Sequence, residues 1–375
     1  MSERRVAIST HNLLLIGATV LLVVLLWQLR SLLVVLMISV VLASALAPMI
    51  NNAQKLGIPR LLAVVIVYLV LIAGLTGAGL LIGPTVVEQI QRLSQRLPGY
   101  LETLRSLAQN LALRLGLSEP GALDQLNRLF DIQAVTTWAF RSSEQLLVRS
   151  YGVTRGIIGG VFSVILAVLL SGYMLSGSQR LIRGIVSLFP KPWDERFAAQ
   201  VQPFGQRMGG YIQGRVLVSA ILGVAISIGL RALGLSEFAL SLGVIAGLTN
   251  LIPFFGPVLG SIPALIVAIA QGGGWTVLWV LLLFAIIQNV ETYVLDPLLV
   301  GNSVRVHPLY QLLAVLGGAQ VLGLIGALIV PPWVAGTAVV VDNLYVQPKK
   351  QREQQASAIA SGSEEETPSA ISVKG

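Results

Sequence analysis

Glu291 is the residue whose type and setting most demand a chemical explanation. It shares a helical face with Gln288, three positions earlier, near the end of an apolar segment that Asp296-Pro297 terminates. An ionised carboxylate inside a bilayer costs about 2.5 kcal/mol or more unless it is paired or wet. Glu291 therefore binds a cation, relays a proton, or pairs with Arg305, and the sequence leaves these open. His307, just before Pro308, is a candidate for ligation or catalysis, although a histidine at a helix start also reads as a loop hydrogen-bond residue.

The second constellation is GLTNLIPFFGPVLGSIPALIVAIAQGGG, residues 247–274. Pro253, Pro257 and Pro263 interleave with Gly256 and Gly260 beside Asn250, inside a run otherwise apolar enough to be buried. Each proline removes a backbone donor and clashes with the preceding turn. At membrane depth, broken helix persists only where protein buries it or a water-filled cavity meets it. Two halves of about 15 and 13 residues form either a broken crossing or a re-entrant hairpin. Both aim helix ends at one point, as transporters do to hold solutes and ions.

Other chemistries are poorly supplied. The chain has no cysteine and only His11 and His307, so thiolate sites are excluded and no metal-ligand spacing or nucleophile–base pair stands out. No GxxxxGK[ST] segment occurs, so an intrinsic nucleotide motor is not expected. No enzyme activity, metal or cofactor is expected. The net charge of +8 comes with 20 of 25 cations as arginines scattered through loops. That fits basic loops beside anionic lipid and no nucleic-acid partner.

These residues must be positioned by membrane helices. At 375 residues, 55% apolar, 11% charged and a mean hydropathy of +0.81, the chain is far poorer in charge than a soluble domain, and the lipid bilayer is its first partner. The fold class expected is all-α, a polytopic membrane protein of about eight spans with an extramembrane helical insert. Residues 1–83 hold an uncleaved hairpin, 13–28 and 31–50 closed at Arg30, then a span over 61–82 ending at Gly83-Pro84. Residues 84–155 carry eight arginines and six carboxylates and form the insert. Its apolar residues, Val86, Ile90, Leu93, Leu97 and on to Leu115, step by 3 and 4, an amphipathic seam jogged beside Pro98-Gly99. That seam packs on its own protein, on lipid, or between protomers.

Residues 156–346 form the remaining core, with spans at 156–177, 211–230, 238–270 with an interruption, 275–295 and 309–341. Gly317, Gly318, Gly323 and Gly326 suit close helix contact or a hinge, and Pro331-Pro332 breaks the helix again. Thirty-three residues from Leu309 to Val341 would make about 50 Å of helix, so a break or a cytoplasmic extension is forced. Cations of the short loops place both termini in the cytoplasm and the insert outside. Residues 347–375 read as a disordered cytoplasmic tail.

The motifs GLTNLIPFFGPVLGSIPA, ETYVLDPLLVGNSVRVHPL and LGGAQVLGLIGALIVPP resemble the C-terminal hallmarks of the autoinducer-2 exporter (AI-2E) family, the PerM-like permeases. The first half matches in architecture only, and the Ser- and Glu-rich tail is no part of the pattern. The resemblance implies an eight-span bacterial inner-membrane transporter that assembles as a homo-oligomer. It exports a small polar solute such as the quorum-sensing furanone or, in other members, exchanges sodium or lithium for protons. By motif it carries over Pro253, Gly256, Pro257, Gly260 and Pro263, then Glu291, Pro297, His307, Pro308, Gly323, Gly326 and Pro331. A membrane scaffold acting through the 84–155 insert is the reading from a different class.

Overall fold

Thr10–Gln28 (α1) and Arg30–Lys55 (α2) follow one another without a reversal. In this computed structural model, which describes residues 10–114, 150–301 and 307–365, hydrogen bonds run across the junction. The Leu29 N–H donates to the Leu25 carbonyl at 2.9 Å and the Leu33 N–H to the Leu29 carbonyl at 3.0 Å. The hairpin expected at Arg30 is thus a shallow bend. Gln28-Leu29-Arg30-Ser31 contains no glycine or proline to reverse the chain, and the Arg30 guanidinium lies over the Trp27 ring at 5.1 Å.

Arg60–Arg114 (α3) is one helix of 55 residues, about 80 Å long. It does not stop at Gly83-Pro84 or jog apart at Pro98, because a proline removes one backbone bond while its neighbours can hold the helix. Between Pro84 and Tyr100 its less exposed positions are Val86, Gln89, Leu93, Leu97, Pro98 and Tyr100, most of them on a stripe with helical spacing. Leu93 and Tyr100 pack on the chain's own core. Residues 115–149 of the insert, Arg305 and the last ten residues lie outside the described residues.

Ser150–Val186 (α4) kinks at Gly177 and packs against α2 and α3 around Ile50, Ala63, Tyr68 and Leu175. The Tyr68 hydroxyl and Ser171 Oγ meet at 2.5 Å, and Arg60 Nε donates to the Leu175 carbonyl at 2.6 Å. A turn containing Pro190 and Pro192 leads into Trp193–Ala232 (α5).

Two reversals decide the rest of the fold. Ala239–Thr249 (α6) is followed by Phe255–Val290 (α7). A Cβ placed on Gly256 would lie 2.3 Å from Asn250 Cα, and one on Gly260 would lie 2.8 Å from Ala246 Cα. Residues 246 and 260 would be about 21 Å apart along a continuous helix, so α6 and the start of α7 form a hairpin. The chain reverses at this point. Within α7, Gly273 has φ 69 and ψ −172, a region essentially reserved for glycine, and the second arm runs back beside the first. Glu291 thereby returns to Asn250.

A π-helical segment, Glu291–Val300, follows, then Pro308–Val341 (α8). The break forced by its length falls at Gly323, with φ 64 and ψ −149. Gly318 and Gly326 then meet backbone to backbone. Pro331-Pro332 does not break α8. Both prolines are buried, and packing against neighbouring helices lets the helix continue.

After a short π turn, Asp342–Val346, the chain continues as Gln347–Glu365 (α9), where disorder was expected. Gln, Lys, Arg, Glu and Ala are good helix formers, and Lys349 pairs with Glu353 one turn on at 3.7 Å.

The chain is an all-helical polytopic membrane protein. Among the described residues six helices are long and apolar enough to cross a membrane, where the sequence marked eight spans. The difference lies in α1, which is not among the six, and in residues 255–300, counted once although they double back at Gly273. Outward faces carry large apolar side chains such as Leu80 and Leu81, 72% and 82% exposed, which suit hydrocarbon and not water. The tightest core, Leu230, Phe238, Leu242, Ala264, Val267 and Val280, joins α5 to the α6–α7 arms. Because the turn in α8 needs glycine, Gly323→Val is expected to destabilise the protein by about 1–3 kcal/mol, read as a lower thermal midpoint. Gly317→Ala, at a position with open space around it, is expected to leave the midpoint unchanged.

Candidate functional site

α6 has 11 residues, about 16 Å of rise, roughly half of a ~30 Å hydrocarbon core. The break after it therefore lies well below the level where α6 begins. Its last turn delivers Asn250, α5 delivers Arg215, and the end of α7 delivers Glu291. These three side chains are 3–5% exposed.

Arg215 Nη1 donates to Glu291 Oε1 at 3.0 Å and to Asp296 Oδ1 at 3.4 Å. Arg215 Nη2 donates to Asn250 Oδ1 at 3.3 Å, and Asn250 Nδ2 donates to Glu291 Oε1 at 3.0 Å. Asn250 thus bridges the ion pair from the hairpin side, accepting from one partner and donating to the other. Asp296, partly exposed, gives the single guanidinium a second carboxylate. Arg215 Nε and Ser219 Oγ, one turn apart on α5, have no protein partner, which leaves donors for a water or a solute oxygen. Tyr211, one turn before Arg215, is buried and accepts from Gln311 Nε2 of α8 at 3.5 Å.

The sequence-marked residues divide around this cluster. Asn250 and Glu291 are in it. Gly256 permits it, since any Cβ there would collide with Asn250. Pro257 and Gln288 line a crevice beside it, together with Leu222, Ile226, Phe284 and Ile287. The crevice leaves about 20 Å³ to the centre of a water molecule, room for a water or so and not for an organic solute.

Pro253 is buried at the hairpin tip. Next to it Phe254 has φ 68, a strained value for a non-glycine residue. Ile252 packs on Val315 and Ala327 of α8. Gly260 abuts Ala246, whereas Pro263 lies farther along α7 and does not touch the polar cluster. Pro297 sits inside the π segment and Pro308 opens α8. His307 is exposed, and its Nδ1 caps α8 by accepting from the Leu309 N–H at 3.3 Å. It is not brought to Glu291.

The partner found for Glu291 is Arg215; Arg305, considered from the sequence, lies outside the described residues. Arg215 was missed although the signal was present: it is a lone cation inside the apolar run Tyr211–Leu230, and the cost applied to Glu291 applies equally to it.

Residues 16–345 match the family described as AI-2E family transporter. Several relatives are named, provisionally, as transport proteins. YrrI of Bacillus subtilis (strain 168) is 28% identical over 81% of this chain and 84% of its own length. MT0215 of Mycobacterium tuberculosis (strain CDC 1551 / Oshkosh) is 27% identical over 84% of each. PerM of Escherichia coli (strain K12), provisionally a permease, is 26% identical over 76% of this chain and 79% of its own.

Removing one partner of a buried ion pair leaves an uncompensated charge. Arg215→Met is therefore expected to cost about 3–5 kcal/mol, measured by thermal unfolding of the purified protein. Adding Glu291→Leu to it is expected to recover most of the loss.

Proposed function

The chain belongs to the AI-2E transporter family, and from that membership we propose that it is a secondary transporter or facilitator whose solute path runs through the crevice between Asn250, Pro257, Gln288 and Glu291. The observation that carries this reading is a buried Arg215–Glu291–Asn250 cluster at the tip of a re-entrant hairpin, beside a closed crevice. A charged cluster at that depth is expensive as a packing device, and a strained, proline-bearing tip is suited to rearrangement. The solute is small and polar, exported across the bacterial inner membrane, and by family resemblance an autoinducer-2-like molecule.

The turn at Lys55–Arg60, the turn containing Lys191 and the C-terminus face the cytoplasm in this reading. The exposed apolar faces of the outer helices are covered by lipid and by further copies in a homo-oligomer. The α1–α2 junction does not return Thr10 to the face of the Lys55–Arg60 turn, and Arg4 and Arg5, outside the described residues, are the cations that favour a cytoplasmic N-terminus.

A second reading has its own support. Two carboxylates share one arginine, so the fully ionised cluster carries one negative charge in excess, which a proton or a sodium or lithium ion would neutralise. Cation/proton exchange, alone or coupled to the solute, would use that excess.

Proteoliposomes loaded with the furanone test the first reading. Glu291→Gln and Pro257→Ala are expected to slow efflux by about tenfold, equivalent to roughly 1.4 kcal/mol, with normal insertion and yield. Wild-type rates in both variants would exclude the crevice as the path. A pH-gradient dye in the same vesicles tests the second reading: sodium or lithium is expected to restore fluorescence, and the absence of any response removes exchange.

A further inference from the structure

The start of α6 is not capped by its own sequence. Phe238 stands at its N-cap and offers no side-chain hydrogen bond, so the first N–H groups of the helix need partners from elsewhere. One comes from far away in the chain. Gln89 Oε1 of α3 accepts from the Ser241 N–H at 2.8 Å, while the Ser241 hydroxyl turns back to the Phe238 carbonyl.

The same stretch of α3 makes two more connections. Arg96 Nη1 pairs with Glu237 Oε2, just before α6, at 2.7 Å, and its guanidinium lies 5.9 Å from the Phe238 ring centre. The Tyr100 hydroxyl accepts from Gln271 Nε2 at 2.7 Å, at the far end of the first arm of α7. Leu93, between these groups, packs on the core shared by the two arms. Three polar contacts, with the apolar packing of Leu93 and the Tyr100 ring, thus hold both ends of the hairpin whose tip carries Asn250.

α6 is a short rigid rod with Asn250 at one end and the Gln89 and Arg96 contacts at the other. We propose that the face of α3 bearing Gln89, Arg96 and Tyr100 is a positioning clamp on the α6–α7 hairpin, and that its release opens the crevice by drawing Asn250 and Pro257 away from Gln288 and Glu291. This rests on the crevice being the solute path. It adds that the extramembrane part of α3 sets whether that path is open. The polar residues in the stripe fit this assignment: a helix needed only for packing would place apolar side chains at 89 and 100.

The chain has no cysteine, so Gln288→Cys introduces a single thiol at the crevice wall. The rate of its modification by N-ethylmaleimide, in the full-length protein in lipid nanodiscs, reads opening without any solute. Gln89→Leu and Arg96→Ala are each expected to raise the rate about fivefold, the response of an opening equilibrium to one lost hydrogen bond. Arg92→Ala, whose residue pairs with Glu88 along the exposed side of α3, is expected to leave it unchanged. Gln89→Glu keeps the acceptor, and Arg96→Glu with Glu237→Arg restores the pair, so both are expected to return to the starting rate. Tyr100→Phe removes only the hydroxyl, retains the ring's packing and gives a smaller rise, which preserves the test if Gln89→Leu does not fold. Unchanged rates, an equal rise in Arg92→Ala, or failure of both rescues would overturn the clamp. Loss of solute efflux in wild-type vesicles, with the labelling response intact, would instead remove the transport reading.

Discussion

The burial of Arg215 against Glu291 is the constraint around which the second half of the chain is arranged. Taking either charge out of water alone is prohibitive, and even the pair recovers its desolvation cost only when the remaining polar atoms are hydrogen-bonded. Asn250 supplies part of that satisfaction, donating to Glu291 and accepting from Arg215. It can do so only because α6 ends where it does and α7 returns Glu291 to the same level. The turn at Gly273, the absence of a side chain at Gly256 and the length of α6 all serve one meeting point.

That meeting point lies on a hairpin held from above and strained below. At its other end α3 provides one hydrogen bond to an N–H of the first turn of α6. At its tip Phe254 adopts a backbone conformation that costs about 1–3 kcal/mol, beside Pro253. Stored strain in an element that also closes a crevice biases it towards two arrangements rather than one. Membership of a transporter family supplies the reason for a second, and the excess carboxylate of Asp296 offers a handle by which a cation could shift the balance.

The outer helices follow a different logic. α2, α3 and α4 meet through small and aliphatic residues with a few polar ties, such as Tyr68 to Ser171 and Arg60 to the Leu175 carbonyl. In lipid such ties are useful because apolar surface alone gives helices no preference for each other over hydrocarbon. Their remaining faces stay apolar, and nothing comparable to the Arg215 cluster lies among their described residues.

Composition and hydropathy alone established that the chain is a helical membrane protein, because runs of apolar residues longer than a soluble core requires have no other stable setting. Local chemistry marked the break at 250–257 and singled out Glu291, since helix breakers and buried charge are costly wherever they fall. The family motifs were equally legible. Tertiary structure alone decided which charge Glu291 meets, since Arg215 lies 76 positions away and no local rule pairs them. It also decided that the chain reverses at the break, that Gln28–Ser31 bends without reversing, and that Pro84, Pro98 and Pro331 are carried inside continuous helices. A proline or a glycine states only what the backbone is permitted to do. Whether the chain turns there depends on the neighbours available to bury the bend and satisfy its freed polar groups, and those neighbours come from other parts of the sequence.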